Sequence, residues 1–231
     1  MKKTYRYYGM MLVAIFMAIG MAACGDDKDD DSDNGNKDTR IDQVIPSDIR
    51  KQVAKYIPIY DGKTPPNVEG VYVMSPPMIV FDSTDNYDVG DSNFADLFLN
   101  FRNQNMSNNT IDFKEKQSTS VDTASGAFIS GEGNNFSVYF NTTGTWESIT
   151  YKTALVVSGT KTSSGISNIY YAFIMTDKKN DVNNEVMDVG DFRVFKDGDG
   201  LAEISTWPAG TRGEAFGMKP MTFTSSWNPQ Y

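Results

Sequence analysis

Residues 128–158, FISGEGNNFSVYFNTTGTWESITYKTALVVS, decide the fold. Phe136, Val138 and Phe140 alternate with Ser137, and Ile149, Tyr151, Leu155 and Val157 keep the same period of two. That spacing sends apolar side chains to one face of a β-strand, whereas a helix would need a period near 3.6. Between the runs, Gly131-Glu132-Gly133-Asn134-Asn135 and Asn141 to Trp146 supply residues that tolerate positive φ. The stretch therefore predicts antiparallel hairpins with one dry face and one wet face.

The same grammar extends in both directions. No proline occurs between Pro77 and Pro208, while Val, Ile, Thr, Tyr and Phe recur in short runs separated by Gly, Asn, Asp and Ser. Strands are predicted over 70–81 (a break at Pro76-Pro77 being open), 94–102, 110–116, 121–130, 136–142, 149–158, 166–176, 192–196 and 201–206, with 221–227 a candidate last strand. Gly159 to Ser164 and Asp197-Gly198-Asp199-Gly200 are expected to be further hairpin turns. The expected class is mainly β: an antiparallel up-and-down barrel of about eight to ten strands, because closure removes exposed strand edges.

Upstream the period changes. Ser47 and Asp48 offer an N-cap and an acid in the first turn, and Ile49, Val53 and Ile57 recur at helical spacing before Pro58. One short helix over 48–57 is predicted, opening a single domain that spans 46–231, with 58–66 a turn-rich connector.

The first twenty-three residues read as a lipoprotein signal peptide. Lys2, Lys3 and Arg6 precede Gly9 to Ala23, fifteen uncharged residues that lead into Cys24. Fifteen is short of the roughly 20 residues a spanning helix needs, and acid follows instead of a basic stop-transfer flank. Cys24 is the one cysteine in the chain, so no intrachain disulfide can form, and its position suits lipid attachment. Each buried CH2 of a palmitate-type chain contributes about 0.8 kcal/mol, so several chains on one residue would hold the protein on a membrane. Residues 24–45 are expected to be an acidic, disordered tether: 25–40 hold seven aspartates and almost nothing apolar. Loss of three basic residues with the leader takes the net charge from −9 to −12, which argues against a nucleic-acid partner.

Two resemblances add to this reading. Met21-Ala22-Ala23-Cys24 resembles the lipobox of bacterial lipoproteins, with Met21 where Leu is more usual, and an acidic run after the acylated cysteine resembles the surface-export signal of Bacteroidetes-type lipoproteins. Pro65-Pro66-Asn67-Val68-Glu69-Gly70-Val71-Tyr72 with Ser75-Pro76, then Phe94-Ala95-Asp96 and Ser130 to Phe136, resembles uncharacterised Bacteroidetes-type surface lipoproteins with a lipocalin-like β-barrel domain. These resemblances imply a bacterial outer-membrane address, lipid-anchored and surface-exposed, and a barrel with an internal cavity. They carry no ligand residues.

Catalytic motifs are missing from the sequence itself. There is no histidine, which removes Ser-His-Asp, Cys-His and zinc-histidine sites, and no phosphate-binding glycine motif follows a strand. No catalytic, cofactor-binding or metal residue is assigned, and no cofactor is expected. Asp197-Gly198-Asp199-Gly200 and Asp181 to Glu185 resemble calcium loops only faintly, lacking the full spacing and the closing Glu. Ser83, in Asp82-Ser83-Thr84, and Thr123, in Asp122-Thr123-Ala124, sit in patterns similar to O-glycosylation acceptors of the same bacteria. Trp146, Trp207, Trp227, Tyr170 and Tyr171 lie near strand ends, where most are expected to fill the core and some to wall a pocket.

The expectation is a non-catalytic, lipid-anchored cell-envelope binding module whose partner is a small apolar molecule, a glycan or an envelope protein. The alternatives are a structural or assembly accessory of an outer-membrane complex, marked by a large exposed apolar patch, and a carboxylate-dependent hydrolase, marked by two buried acids in one cleft.

Overall fold

The chain enters the described structure through two short helices, α1 (Ile41–Val44) and α2 (Ser47–Val53). The structure is a computed structural model that describes residues 40–118, 120–146 and 148–209. The leader, Cys24, the tether as far as residue 39, and the candidate strand 221–227 with Trp227 lie outside the described residues. One helix was expected and two are found. Pro46 separates them: the residue before a proline is pushed out of the helical region, and Ile45 is extended at φ −127°. Pro46 then opens α2, its carbonyl accepting from Arg50 N–H at 2.9 Å. Ile41, Val44 and Ile45 are buried, so the ordered fold begins inside the segment read as the end of the tether.

Among the described residues, eleven strands follow. They are β1 (Lys63–Thr64), β2 (Gly70–Met74), β3 (Pro77–Asp82), β4 (Leu97–Asn105), β5 (Thr110–Gln117), β6 (Ser120–Glu132), β7 (Asn135–Trp146), β8 (Ile149–Lys161), β9 (Gly165–Lys179), β10 (Phe192–Asp197) and β11 (Leu201–Ile204). The protein is mainly β, and these strands form one large sheet. All pairings are antiparallel save that of β1, which lies parallel to β6 at Gly131 and Glu132. β1 falls in the connector expected to be turns.

Two turn assignments are corrected. Asn141 to Trp146 does not reverse the chain: it continues β7, which pairs with β8 from Asn135↔Thr160 to Trp146↔Ile149. Three threonines in that run suit a strand, and the buried hydroxyls of Thr142 and Thr153 meet across the pair at 2.6 Å. Asp197 to Gly200 is not a hairpin either. β10 and β11 do not pair with each other but lie in line along β9, at residues 170–174 and 165–167 respectively. The Asp197 carboxylate accepts from the backbone N–H of Asp199 and Gly200, at 3.0 and 3.1 Å, gathering the extra residues into a bulge. β2 and β3 are likewise in line, facing β11 and β10.

The expectation of one wet face is also corrected. Alternate residues of β2 and β4 to β11, including Tyr72, Leu99, Phe113, Phe136, Phe140, Phe173 and Phe195, form one buried apolar cluster. A second cluster lies on the opposite face of β7 to β10, where Tyr139, Val156, Ala172, Ile174 and Val194 are covered by Ile41, Val44, Val53 and Ile57. Those strands are dry on both faces because the helices lie over them. Burial of each such side chain contributes about 1.5–3 kcal/mol.

Candidate functional site

β6 and β7 are paired along only part of their length. Their register runs from Glu132↔Asn135 to Phe128↔Tyr139. Beyond it, residues 120–127 are paired with β5, and 140–146 with β8. A bulge marks the parting: Ile111 and Phe113 of β5 oppose Ala127 and Ala124, so that one residue of β5, Asp112, stands against two of β6, Ser125 and Gly126. Gly126 takes φ +67°, a left-handed conformation that suits glycine, and its N–H donates to Asp112 at 3.1 Å. A bulge bends its strand, and here it turns β6 away from β7. The opening holds a cavity of about 250 Å³, lined by Ala124, Gly126, Ala127 and Phe128 of β6, Tyr139, Phe140 and Asn141 of β7, and Gln43 and Val44 at α1.

Beside that opening lies an acidic pair, Glu115 buried and Asp122 half-buried. Glu115 of β5 stands directly opposite Asp122 of β6, and Asp122 shares a face of its strand with Ala124 in the cavity wall. Tyr171 of β9 donates from its hydroxyl to Glu115 Oε1 at 3.0 Å. Glu115 is 6 % exposed, and its Oε2 has no hydrogen-bond partner. Burial first, and the nearby Asp122 second, push the Glu115 carboxyl up to about 8, against the Tyr171 hydrogen bond that lowers it. Burial raises Asp122 as well, and burial with these two acids pushes the Tyr151 hydroxyl up to about 12.

A third feature is a pair of like-built loops joining β3 to β4 and β9 to β10. Asp82 accepts from the backbone N–H of Asn86 and Tyr87, and Asp181 from those of Glu185 and Val186. Asp85 and Asn184, each three residues on, both take φ 56°. Each loop carries the same tetrapeptide, Asp88-Val89-Gly90-Asp91 or Asp188-Val189-Gly190-Asp191. Gly90 donates to Ile79 O at 2.9 Å and Gly190 to Met175 O at 2.8 Å, so each turn is pinned to a strand in the same way. Val89 and Val189 stand exposed at the tips. Comparing the sequence with itself finds this repeat; reading the acids only as loop charges missed it.

The residues singled out in the sequence fall elsewhere. Asp181 is occupied by Lys178 Nζ at 2.9 Å and Asp197 by backbone N–H groups, so these carboxylates are committed to turns. Ser83 Oγ donates to Asp191 and accepts from Phe192 N–H, which ties it into the loop pair, whereas Thr123 is exposed on β6. Tyr171 is in the core and Tyr170 packs against the second cluster. Trp207 is half-buried under Lys114, whose Nζ lies 4.7 Å from the ring centre. Among the described residues no helix is long and apolar enough to cross a membrane.

Comparison with protein-family models, with curated proteins and with solved structures returns no match.

Proposed function

We propose that this chain is a lipid-anchored binding module of the bacterial cell envelope, a lipocalin-like barrel that admits a small molecule between β6 and β7. In this reading Cys24 carries the acyl chains, the acidic run displays the domain at the outer-membrane surface, and the domain binds without catalysis.

Three observations support the barrel. β11 pairs with β9 on one side and β2 on the other, so the order β2-β4-β5-β6-β7-β8-β9-β11 returns to its start. Counting the in-line pieces β2/β3 and β10/β11 as one strand each gives an eight-stranded up-and-down meander. Tyr171 touches Glu115 although β9 and β5 are four steps apart in pairing order, which in a flat sheet is roughly 19 Å at about 4.8 Å per step. Lys161 of β8 likewise lies 5.3 Å from the Tyr72 ring centre of β2.

The observation that carries the binding reading is the parting of β6 and β7 beside Glu115, a buried carboxyl with an unfilled oxygen. Unpaired strand edges and an unsatisfied polar atom both cost stability, so a fold that keeps them together at a cavity has a use for them. A second reading, a carboxylate-dependent hydrolase, draws on the opposed Glu115 and Asp122. It is the weaker one, because Glu115 is 6 % exposed, whereas glycoside hydrolysis needs two carboxyls flanking a sugar in an open cleft.

The test is a thermal-shift panel of fatty acids, alkanols, alkylamines and sugars on the purified chain and on Asn141→Trp, which plugs the opening from its exposed rim. The expected result is that at least one class raises the Tm of the natural chain and not of the variant. Equal shifts in both proteins, no shift from any class, or turnover of an added glycoside would overturn the reading.

A further inference from the structure

We propose that the molecule admitted between β6 and β7 carries an ammonium group, and that Glu115 and Asp122 are the residues that bind it. This inference rests on the binding-module reading and adds the chemistry of the ligand.

The cluster is unlike the other buried acids of the molecule. Asp82 is paired with Arg193 at 3.0 Å, Asp181 with Lys178 at 2.9 Å, and Asp197 accepts from the N–H groups of Ser75, Asp199 and Gly200. Glu115 has a tyrosine hydroxyl on one oxygen and nothing on the other. The side chains that act on it are Asp122 from β6 and Tyr171 from β9, and Tyr151 from β8 feels both acids. All four can only lose a proton; none brings positive charge. A buried acid opposite a half-buried one, with no cation paired to either among the described residues, is costly, and a bound cation would supply what Arg193 and Lys178 supply at Asp82 and Asp181.

The geometry favours an ammonium over a metal ion. Calcium takes six to eight oxygen ligands and magnesium needs an octahedron, whereas two carboxyls and two hydroxyls hold six oxygens at most, two of them already joined in the Tyr171–Glu115 hydrogen bond. An alkylammonium presents three N–H donors, enough for Glu115 Oε2 and the Asp122 carboxylate with one to spare. Its alkyl stem has apolar wall to lie on, since Ala124, Ala127 and Phe140 line the adjoining cavity of about 250 Å³.

Binding has a proton balance. With its carboxyl raised to about 8, Glu115 is mainly neutral at pH 7. An arriving ammonium converts it to the carboxylate, and the displaced proton passes to the buffer. Asp122, Tyr151 and Tyr171 are the other titratable groups around it, and the two tyrosines stay protonated.

The experiment is calorimetric titration of the full chain at pH 7 with n-hexylammonium chloride and with n-hexanol, in two buffers of different ionisation enthalpy. The expected result is at least tenfold tighter binding of hexylammonium, with close to one proton released, and no proton released by hexanol. Glu115→Gln is expected to abolish the preference and the proton release, and Asp122→Asn to weaken hexylammonium binding at least tenfold. Equal binding of the two probes, blocked alike by Asn141→Trp, would overturn the ammonium assignment and leave the binding module standing. Absence of hexylammonium binding, or a preference that survives Glu115→Gln, would also overturn it, whereas the binding reading is judged by its own panel.

Discussion

Arg193 Nε donates to Asp82 Oδ1 at 3.0 Å, and neither side chain has any exposed surface. The pair joins β10 to β3 at the mouth of the loop pair, and the guanidinium also reaches Thr84 Oγ1 at 2.9 Å and lies over the rings of Tyr87 and Phe173. A buried pair of this kind is costly to break on one side only, because the remaining charge has no water to turn to. Arg193→Met is expected to lower unfolding stability by about 3–5 kcal/mol. Arg193→Met with Asp82→Asn is expected to recover part of that loss, as read by urea denaturation.

Glu115 gives stability a pH dependence whose sign is fixed. Its carboxyl is raised in the fold to about 8 from 4.5, so the folded chain holds a proton that the unfolded chain gives up. Its contribution is full below pH 4.5 and is lost as pH rises through about 8. Glu115→Gln should flatten the decline of Tm between pH 5 and 8, raising Tm at pH 8 and leaving it little changed at pH 4.5. A decline of unaltered slope would contradict the buried position of this acid.

Two glycines separate a close approach from backbone strain alone. A Cβ on Gly165, at the seam of β9 and β11, would sit 2.2 Å from Ala202 O, whereas one on Gly90 would meet nothing within 4 Å. Both take positive φ, at 159° and 96°. Gly90→Ala is expected to cost about 1–3 kcal/mol, the range for a residue held in such backbone. Gly165→Ala is expected to cost more, and to speed hydrogen exchange in β11 and in the β2 residues paired with it.

The proposed membrane anchor is tested by metabolic labelling with a fatty acid. The natural chain should incorporate label and pellet with membranes, and Cys24→Ala should do neither. Label retained in Cys24→Ala would remove the anchor from that residue.

How much of this was legible in the sequence can be said residue by residue. Alternation located every strand from β2 to β11, because Phe136, Val138 and Phe140 bury one face and the period of two needs no tertiary information. The seam of β2 and β3 with β11 and β10 has no local signature: it joins the far ends of the meander, and nothing near Tyr72 or Ile204 announces its partner. The first helix, α1, hid for a different reason. Ile41, Val44 and Ile45 follow an acidic run and lack a capping residue, so their burial shows only once β7 and β8 provide a surface for them.

The buried acid was within reach. Lys114-Glu115-Lys116 looks like a solvated charge run, yet Ile111, Phe113 and Glu115 occupy successive positions on one strand face, and that face is the apolar one. Following the period one step further puts Glu115 inside, and the hairpin puts Asp122 across from it. What the period could not give was the parting of β6 from β7. That depends on Gly126 adopting a left-handed backbone in the middle of a run that otherwise reads as an unbroken strand.

The twin turns have a practical corollary. Their shape is held by main-chain bonds to Ile79 and Met175 and by carboxylates at their bases, and the valine side chains at the tips contribute little to it. Amino-acid changes at Val89 and Val189 should therefore be nearly neutral for folding, which makes the two tips natural attachment points for a fluorophore or an epitope when the protein is followed on living cells.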